Sequence, residues 1–268
     1  MSVTPGIMWG GALSRPTWRG REVVPAALFV MLREMGLAAI DIFARHVDQY
    51  GVGALREGLD SSGLHCACFY IHGDLLAGDD RQRREVDLAF EHGVESALGL
   101  GAPRCFTYGT QHTREGDEAR AAYIERLREK AALVADAGMA LVIENAGLLV
   151  NTPEHMLEVI DGAGDAGLRL CPDTGNFSVW GIDELDAIRR CLPWMAHIHL
   201  KDLSPGSVGD EAGRGVPEVL GRGVTPIAEI IALLDAERWP GVAAWEPGPT
   251  DEEGIEAGVA ELLRLTGR

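Results

Sequence analysis

Eight short apolar runs recur along this chain, and helix-like stretches fill the intervals between them. The runs are Val3–Trp9, Ala38–Phe43, His65–Ile71, Arg104–Tyr108, Ala140–Glu144, Leu168–Asp173, Ala196–Leu200 and Val242–Glu246. Each is too short for a helix and reads as a buried strand. Helices are expected over Val23–Met35, Val52–Leu59, Arg81–Leu98, Gly116–Ala137, Pro153–Gly162, Asp183–Cys191, Pro226–Ala236 and Asp251–Leu265. Within Gly116–Ala137, the residues Ala122, Ile124, Leu127, Ala131, Leu133 and Val134 approximate one apolar stripe, and Arg and Glu occupy the other face. Asn151-Thr152-Pro153-Glu154 supplies a capping residue, a first-turn proline and early acidic charge. Gly36, Gly138 and Gly162 stand where helices should end.

Alternation of this kind, without a Pro/Ser-rich linker or a break in composition, predicts one (β/α)8 barrel domain spanning residues 1–268. The length suits it, since such barrels need about 250 residues. A doubly wound sheet is the structural alternative, but it normally carries a Gly-rich turn and a helix directly after its first strand. Gly6-Ile-Met-Trp-Gly-Gly has neither the spacing nor the helix.

Charge and cysteines limit the partners. A formal charge of −17 opposes binding to a polyanion, and basic clusters such as Arg81–Arg84 are small, so no nucleic-acid partner is expected. The N-terminal residues show no signal-peptide pattern, and no apolar run of about 18 residues suggests a membrane span. Five cysteines, odd in number and set in apolar runs, read as buried free thiols of a cytoplasmic protein. Cys66-Ala-Cys68 lacks the two-residue spacer of redox and zinc motifs. The partner expected is a small molecule related to carbohydrates, and a homo-oligomer is allowed.

Runs five to eight share one grammar: each stops at a carboxylate or an imidazole, namely Glu144, Asp173, His199 and Glu246. In a parallel barrel the C-terminal strand ends converge on one rim, so all four would face one cavity. Three carboxylates crowded together repel unless a cation sits among them. Hard oxygen donors with one imidazole suit Mn²⁺ foremost, and also Mg²⁺, Co²⁺ or Zn²⁺. Other residues fall on the same rim. His72 and His112 follow strands three and four, where each would bind substrate, transfer a proton or simply face solvent. Lys201 shares a strand face with His199, to hold a substrate oxygen or to pair with Asp173 or Glu246. His197 lies one layer deeper, and Asp202 reads as an anchor outside the ligand set. Trp9, Phe69, Trp180 and Trp245 are candidates to line the cavity.

The phrases Val-Ile-Glu144-Asn145, Pro-Asp173-Thr-Gly-Asn176, His197-Ile-His199-Leu-Lys201-Asp202 and Trp-Glu246-Pro resemble those of the xylose-isomerase-like TIM-barrel superfamily, the sugar phosphate isomerase/epimerase type. Leu220-Gly-Arg-Gly-Val-Thr is similar to that superfamily's Gly-x-Gly segment. The resemblance implies that Glu144, Asp173, His199 and Glu246 ligate one divalent ion. It also implies an isomerase or epimerase acting through an enediolate, with Glu144 and Glu246 as the proton-transfer pair. Against the ketose 3-epimerase pattern, Asn176 replaces a substrate-binding His, Pro205 an Arg and Val150 a Glu. These departures leave a lyase, dehydratase or deglycosidase as the alternative activity, and a non-catalytic metal-binding barrel as a third reading. They also predict that small free ketoses are poor substrates, and that a substrate with an apolar or aromatic portion fits better.

Overall fold

The structure, a computed structural model, describes all residues except 1–2, 11–12, 15–16, 19–20, 23, 109–113 and 210–214. The eight predicted strands form β1 (Thr4–Met8), β2 (Ala39–Phe43), β3 (His65–Tyr70), β4 (Arg104–Thr107), β5 (Ala140–Ile143), β6 (Leu168–Leu170), β7 (His197–Leu200) and β8 (Val242–Trp245). They pair in parallel in the order β6-β5-β4-β3-β2-β1-β8-β7. Bridges between Leu170 and Met195 and between Asp173 and His199 link the two ends of that order. The architecture is therefore a (β/α)8 barrel, as expected.

The helices are α1 (Pro25–Glu34), α2 (Ala44–Tyr50), α3 (Val52–Ser62), α4 (Asp80–Leu100), α5 (Asp117–Asp136), α6 (Pro153–Ala163), α7 (Thr174–Val179), α8 (Glu184–Cys191), α9 (Ile227–Ala236) and α10 (Glu252–Leu265). Start signals act as the sequence suggests: Thr152 Oγ1 accepts from His155 N at 3.2 Å, ahead of Pro153. Helices α2 and α7 escaped prediction because α2 begins directly at the end of β2 and α7 is only six residues long. Gly162 does not end a helix. It lies inside α6, where a Cβ would come within 2.6 Å of Ile124 Cγ2 on α5, so its role is close helix packing. The stop falls at Gly164, with a positive φ of 56°.

Period-two alternation sorts the strand residues into two sets. Met8, Phe43, Cys68, Phe106, Val142 and Cys171 form a cluster inside the barrel, with Tyr70 and Tyr108 packed on it. Trp9, Phe69 and Trp245 belong instead to the main core beneath the helices. Those three aromatic residues therefore do not line the cavity, and Trp180 is the C-cap of α7. All five cysteines are free and buried. Among the described residues, no helix is long and apolar enough to cross a membrane.

Behind β1, Trp9 stacks on His46 at 3.9 Å between ring centroids, and His46 Nδ1 accepts from Phe43 N at 3.2 Å. Burial, helped by the Arg45 charge, lowers the His46 pKa from 6.5 to about 3. The folded protein therefore refuses a proton that the unfolded chain takes up below pH 6.5. Stability from this group is full above that pH and is lost as pH falls toward 3, at up to about 1.4 kcal/mol per pH unit. Chemical denaturation of wild type and His46→Asn should thus give a stability gap that narrows from pH 7 to about pH 4. A gap constant across that range would show that His46 is not held neutral.

Candidate metal centre

Four ligand-type side chains meet at the C-terminal rim. Glu144 follows β5, Asp173 lies beyond β6, His199 is on β7 and Glu246 follows β8. One donor atom from each lies within 4.8 Å of the others. Glu144, Asp173 and His199 are buried, whereas the Glu246 side chain is 22% exposed toward the mouth. The backbone extends past the regular strands to make this possible: His199 N donates to Pro172 O at 2.9 Å, and Glu246 N to Leu200 O at 3.0 Å.

Charge compensation is local. His199 Nδ1 lies 3.1 Å from Glu144 Oε2. The Lys201 ammonium bridges Asp173 Oδ2 at 3.0 Å and Glu246 Oε1 at 3.1 Å, so the pairing suggested for it is realised. Asn176 spans the same cluster. Its Nδ2 donates to Glu144 Oε1 at 2.6 Å, and its Oδ1 accepts from Lys201 Nζ at 3.3 Å. Burial and the Glu246 charge, against the pull of Lys201, push Asp173 up to about 6. Burial opposes the Lys201 charge, yet Asp173, Glu246 and Glu144 hold its pKa above the usual lysine value. Burial raises Tyr108 too, and Glu144 and Glu246 add to that shift. Proton retention is favoured at each of these groups, the signature of a pocket short of positive charge. Glu246 Oε2 is buried without a hydrogen bond, and Asp173 Oδ2 has only the Lys201 ion pair. Under-satisfied carboxylate oxygens in a converging set, oxygen-rich with one imidazole, fit a divalent cation.

A buried carboxylate that the sequence reading passed over supports this cluster from below. Asp41 on β2 lies 2.8 Å from His197 Nε2 and 3.3 Å from His199 Nε2. Burial works against its charge, but His197 and then His199 bring its pKa down to about 2. With Nε2 aimed at Asp41, His199 is left to present Nδ1 to the centre, the carboxylate–imidazole arrangement common behind metal ligands. Asn145 was also missed as a positioning group. It accepts from Asp173 N at 2.6 Å and donates to Asp173 O at 3.1 Å, fixing the Asp173 backbone.

The remaining rim residues divide. Exposed His72 contacts Tyr70 Oη through Nδ1 at 3.1 Å, so it reaches the cavity wall through a tyrosine. His112 lies outside the described residues. Asp202 is an anchor: its Oδ1 accepts from Leu203 N (3.0 Å) and Thr225 N (3.1 Å), and its Oδ2 from Gly221 N and Gly223 N (both 2.9 Å). At Gly223 a Cβ would come within 2.1 Å of Asp202 Oδ1, which accounts for the glycine in Gly-Arg-Gly.

A parallel barrel whose rim gathers a candidate metal site defines a broad class of proteins. Residues 29–265 match the Xylose isomerase-like TIM barrel family, and the chain belongs to it. A D-psicose 3-epimerase of Enterocloster bolteae is 31% identical over 138 residues, which is 50% of this chain and 41% of that relative's length. Among solved structures, the probable 3-DHS dehydratase AsbF from Bacillus anthracis shares the fold with a TM-score of 0.78 at 18% identity, over 99% of this chain and 100% of that one. A xylose isomerase-like TIM barrel protein from Mycobacterium smegmatis, in complex with magnesium, matches with a TM-score of 0.70 at 19% identity over 99% and 97% of the two chains.

Proposed function

We propose that this protein is a divalent-metal-dependent isomerase or epimerase acting on a sugar, polyol or related hydroxycarbonyl compound. The observation that carries this reading is the convergence of Glu144, Asp173, His199 and Glu246, with donor atoms within 4.8 Å of one another. Similarity to a D-psicose 3-epimerase agrees with it. Mn²⁺ heads the candidate ions on donor chemistry, followed by Mg²⁺, Co²⁺ and Zn²⁺. When bound, such an ion supplies Lewis-acid polarisation of a carbonyl and so acidifies the neighbouring C–H.

The chain's own residues would do the rest. Glu144 and Glu246 approach from β5 and β8, so one carboxylate can remove the carbon-bound proton while the other returns one. Lys201, 3.1 Å from Glu246, can steady an oxygen that gains negative charge. Asn176 and His72 would orient substrate hydroxyls. Asp41 would fix the tautomer and aim of His199. On that account Asp41→Asn should weaken metal affinity by about 10- to 100-fold. A chelating indicator dye measures it, and an unchanged affinity would leave the aim of the ring to packing alone.

Elimination is the competing outcome, since it starts from the same proton abstraction. Asn176 bonds to Glu144 and Lys201, and Pro205 offers no charge, so the grips of a ketose 3-epimerase are reduced. Turnover of a ketosugar panel in D2O separates the two. Epimerisation should wash one solvent deuterium into the carbon beside the carbonyl with no group lost. An unsaturated product with a departed β-substituent would replace the isomerase reading by a lyase.

A further inference from the structure

A cation stands apart from the carboxylate cluster, at the far end of a row of aromatic rings. Phe106 meets His199 edge-on at 4.9 Å between centroids, and Tyr70 packs 5.0 Å from Phe106. Phe43 lies 5.0 Å beyond Tyr70, and the Arg45 guanidinium sits over Phe43 at 4.0 Å from its centroid. Tyr108 packs 5.1 Å from Tyr70 on the same wall. Both tyrosines are partly exposed. Arg45 is exposed and held in place by Nη2, which donates to Trp9 O at 3.2 Å.

Among the described residues, Arg45 pairs with no carboxylate, although the chain carries a net charge of −17 and most other arginines of its helices find one. Its seat over Phe43, whose ring packs 5.0 Å from Tyr70, places it on the wall that runs to the centre. An arginine aimed by one backbone bond and one ring face, with no carboxylate partner among the described residues, is arranged to receive an anion. One guanidinium matches the single charge and two oxygens of a carboxylate. A phosphate dianion would call for further cations.

We propose that Arg45 binds a carboxylate at the distal end of the substrate, while Tyr70 and Tyr108 flank a flat apolar segment between that carboxylate and the carbohydrate end. The substrate class is then a glycoside, or oxidised glycoside, whose aromatic aglycone bears a carboxylate. This rests on the proposed site at Glu144, Asp173, His199 and Glu246 for the carbohydrate end only.

The probes are 4-carboxyphenyl and 4-carbamoylphenyl β-D-glucopyranoside, which differ in charge at one position. Calorimetry on the Mn²⁺-loaded protein should show the carboxylate bound at least about tenfold more tightly. Arg45→Gln should bring the two affinities together, and Arg45→Lys should keep part of the preference, with metal content and melting temperature unchanged. Equal binding of the two probes by wild type would overturn the proposal. So would a preference that survives in Arg45→Gln, or no binding of the carboxylate probe up to about 1 mM. Repeating the titrations after metal removal keeps the two readings apart. If only the metal reading is wrong, both affinities stay as they were and the Arg45-dependent preference remains.

Discussion

Glu144→Gln and Glu246→Gln should each lower turnover by at least about 100-fold, the scale on which a positioned proton-transfer group acts. An amide keeps a donor oxygen for a cation but cannot accept and return a proton. The two variants should nevertheless differ in their side effects. At position 144 one oxygen accepts from Asn176 and the other faces His199 Nδ1, and the amide's NH2 must take one of those places. Glu144→Gln is therefore expected to lose some stability and metal affinity as well. Glu246 is closer to solvent and gives up mainly its Lys201 pair at 3.1 Å, so Glu246→Gln should keep both more nearly intact. Steady-state rates, metal content and melting curves on the same preparations check this. Near-normal rates in both variants would move proton transfer elsewhere, to Lys201 first.

Exhaustive chelation should abolish activity, and Mn²⁺, Co²⁺ or Mg²⁺ should restore it. The same ions should raise the melting temperature, because a ligand that binds only the folded state stabilises it by about 2.7 kcal/mol at about 100 times its Kd. In a chain of this size that corresponds to a rise of roughly 5–10 °C. His199→Ala should suppress both responses. Full turnover in protein shown to be free of metal would sink the mechanism whatever the fold. The Lys201 ammonium, already seated between Asp173 and Glu246, predicts that the metal-free protein still folds.

The barrel was legible because its two signals are local: strand-length apolar runs, and helices with caps between them. The four converging side chains were legible for a related reason, since strand ends in a parallel barrel share one rim. What escaped depends on registry between distant segments. Asp41 stands alone as a charge in Ala39-Ile-Asp-Ile-Phe43, a signal that marks a buried ion. Its partner His197 is 156 residues away, and nothing local names it. The aromatic wall was misassigned because facing follows each strand's alternation, which sets Trp9 opposite to Met8, and Phe69 opposite to Cys68 and Tyr70. β2 and β3 shift register between Ile40 and Asp41, leaving Phe69 beside Ile42 toward the helices and Tyr70 beside Phe43 toward the cavity. Lys201 stayed ambiguous for a different reason, because pairing and substrate contact call for the same residue in the same place.

The Asp202 carboxylate fastens Leu203 at the end of one segment to Gly221, Gly223 and Thr225 at the start of another. The two ends of the segment between Ser204 and Leu220 are thus drawn together at Asp202. His199 and Lys201 lie upstream of the clamp, on the barrel side. Lengthening a loop already closed at its base is cheap, about 0.6 kcal/mol per doubling. A change in the length of this segment should therefore leave the rim residues upstream of Asp202 where they are.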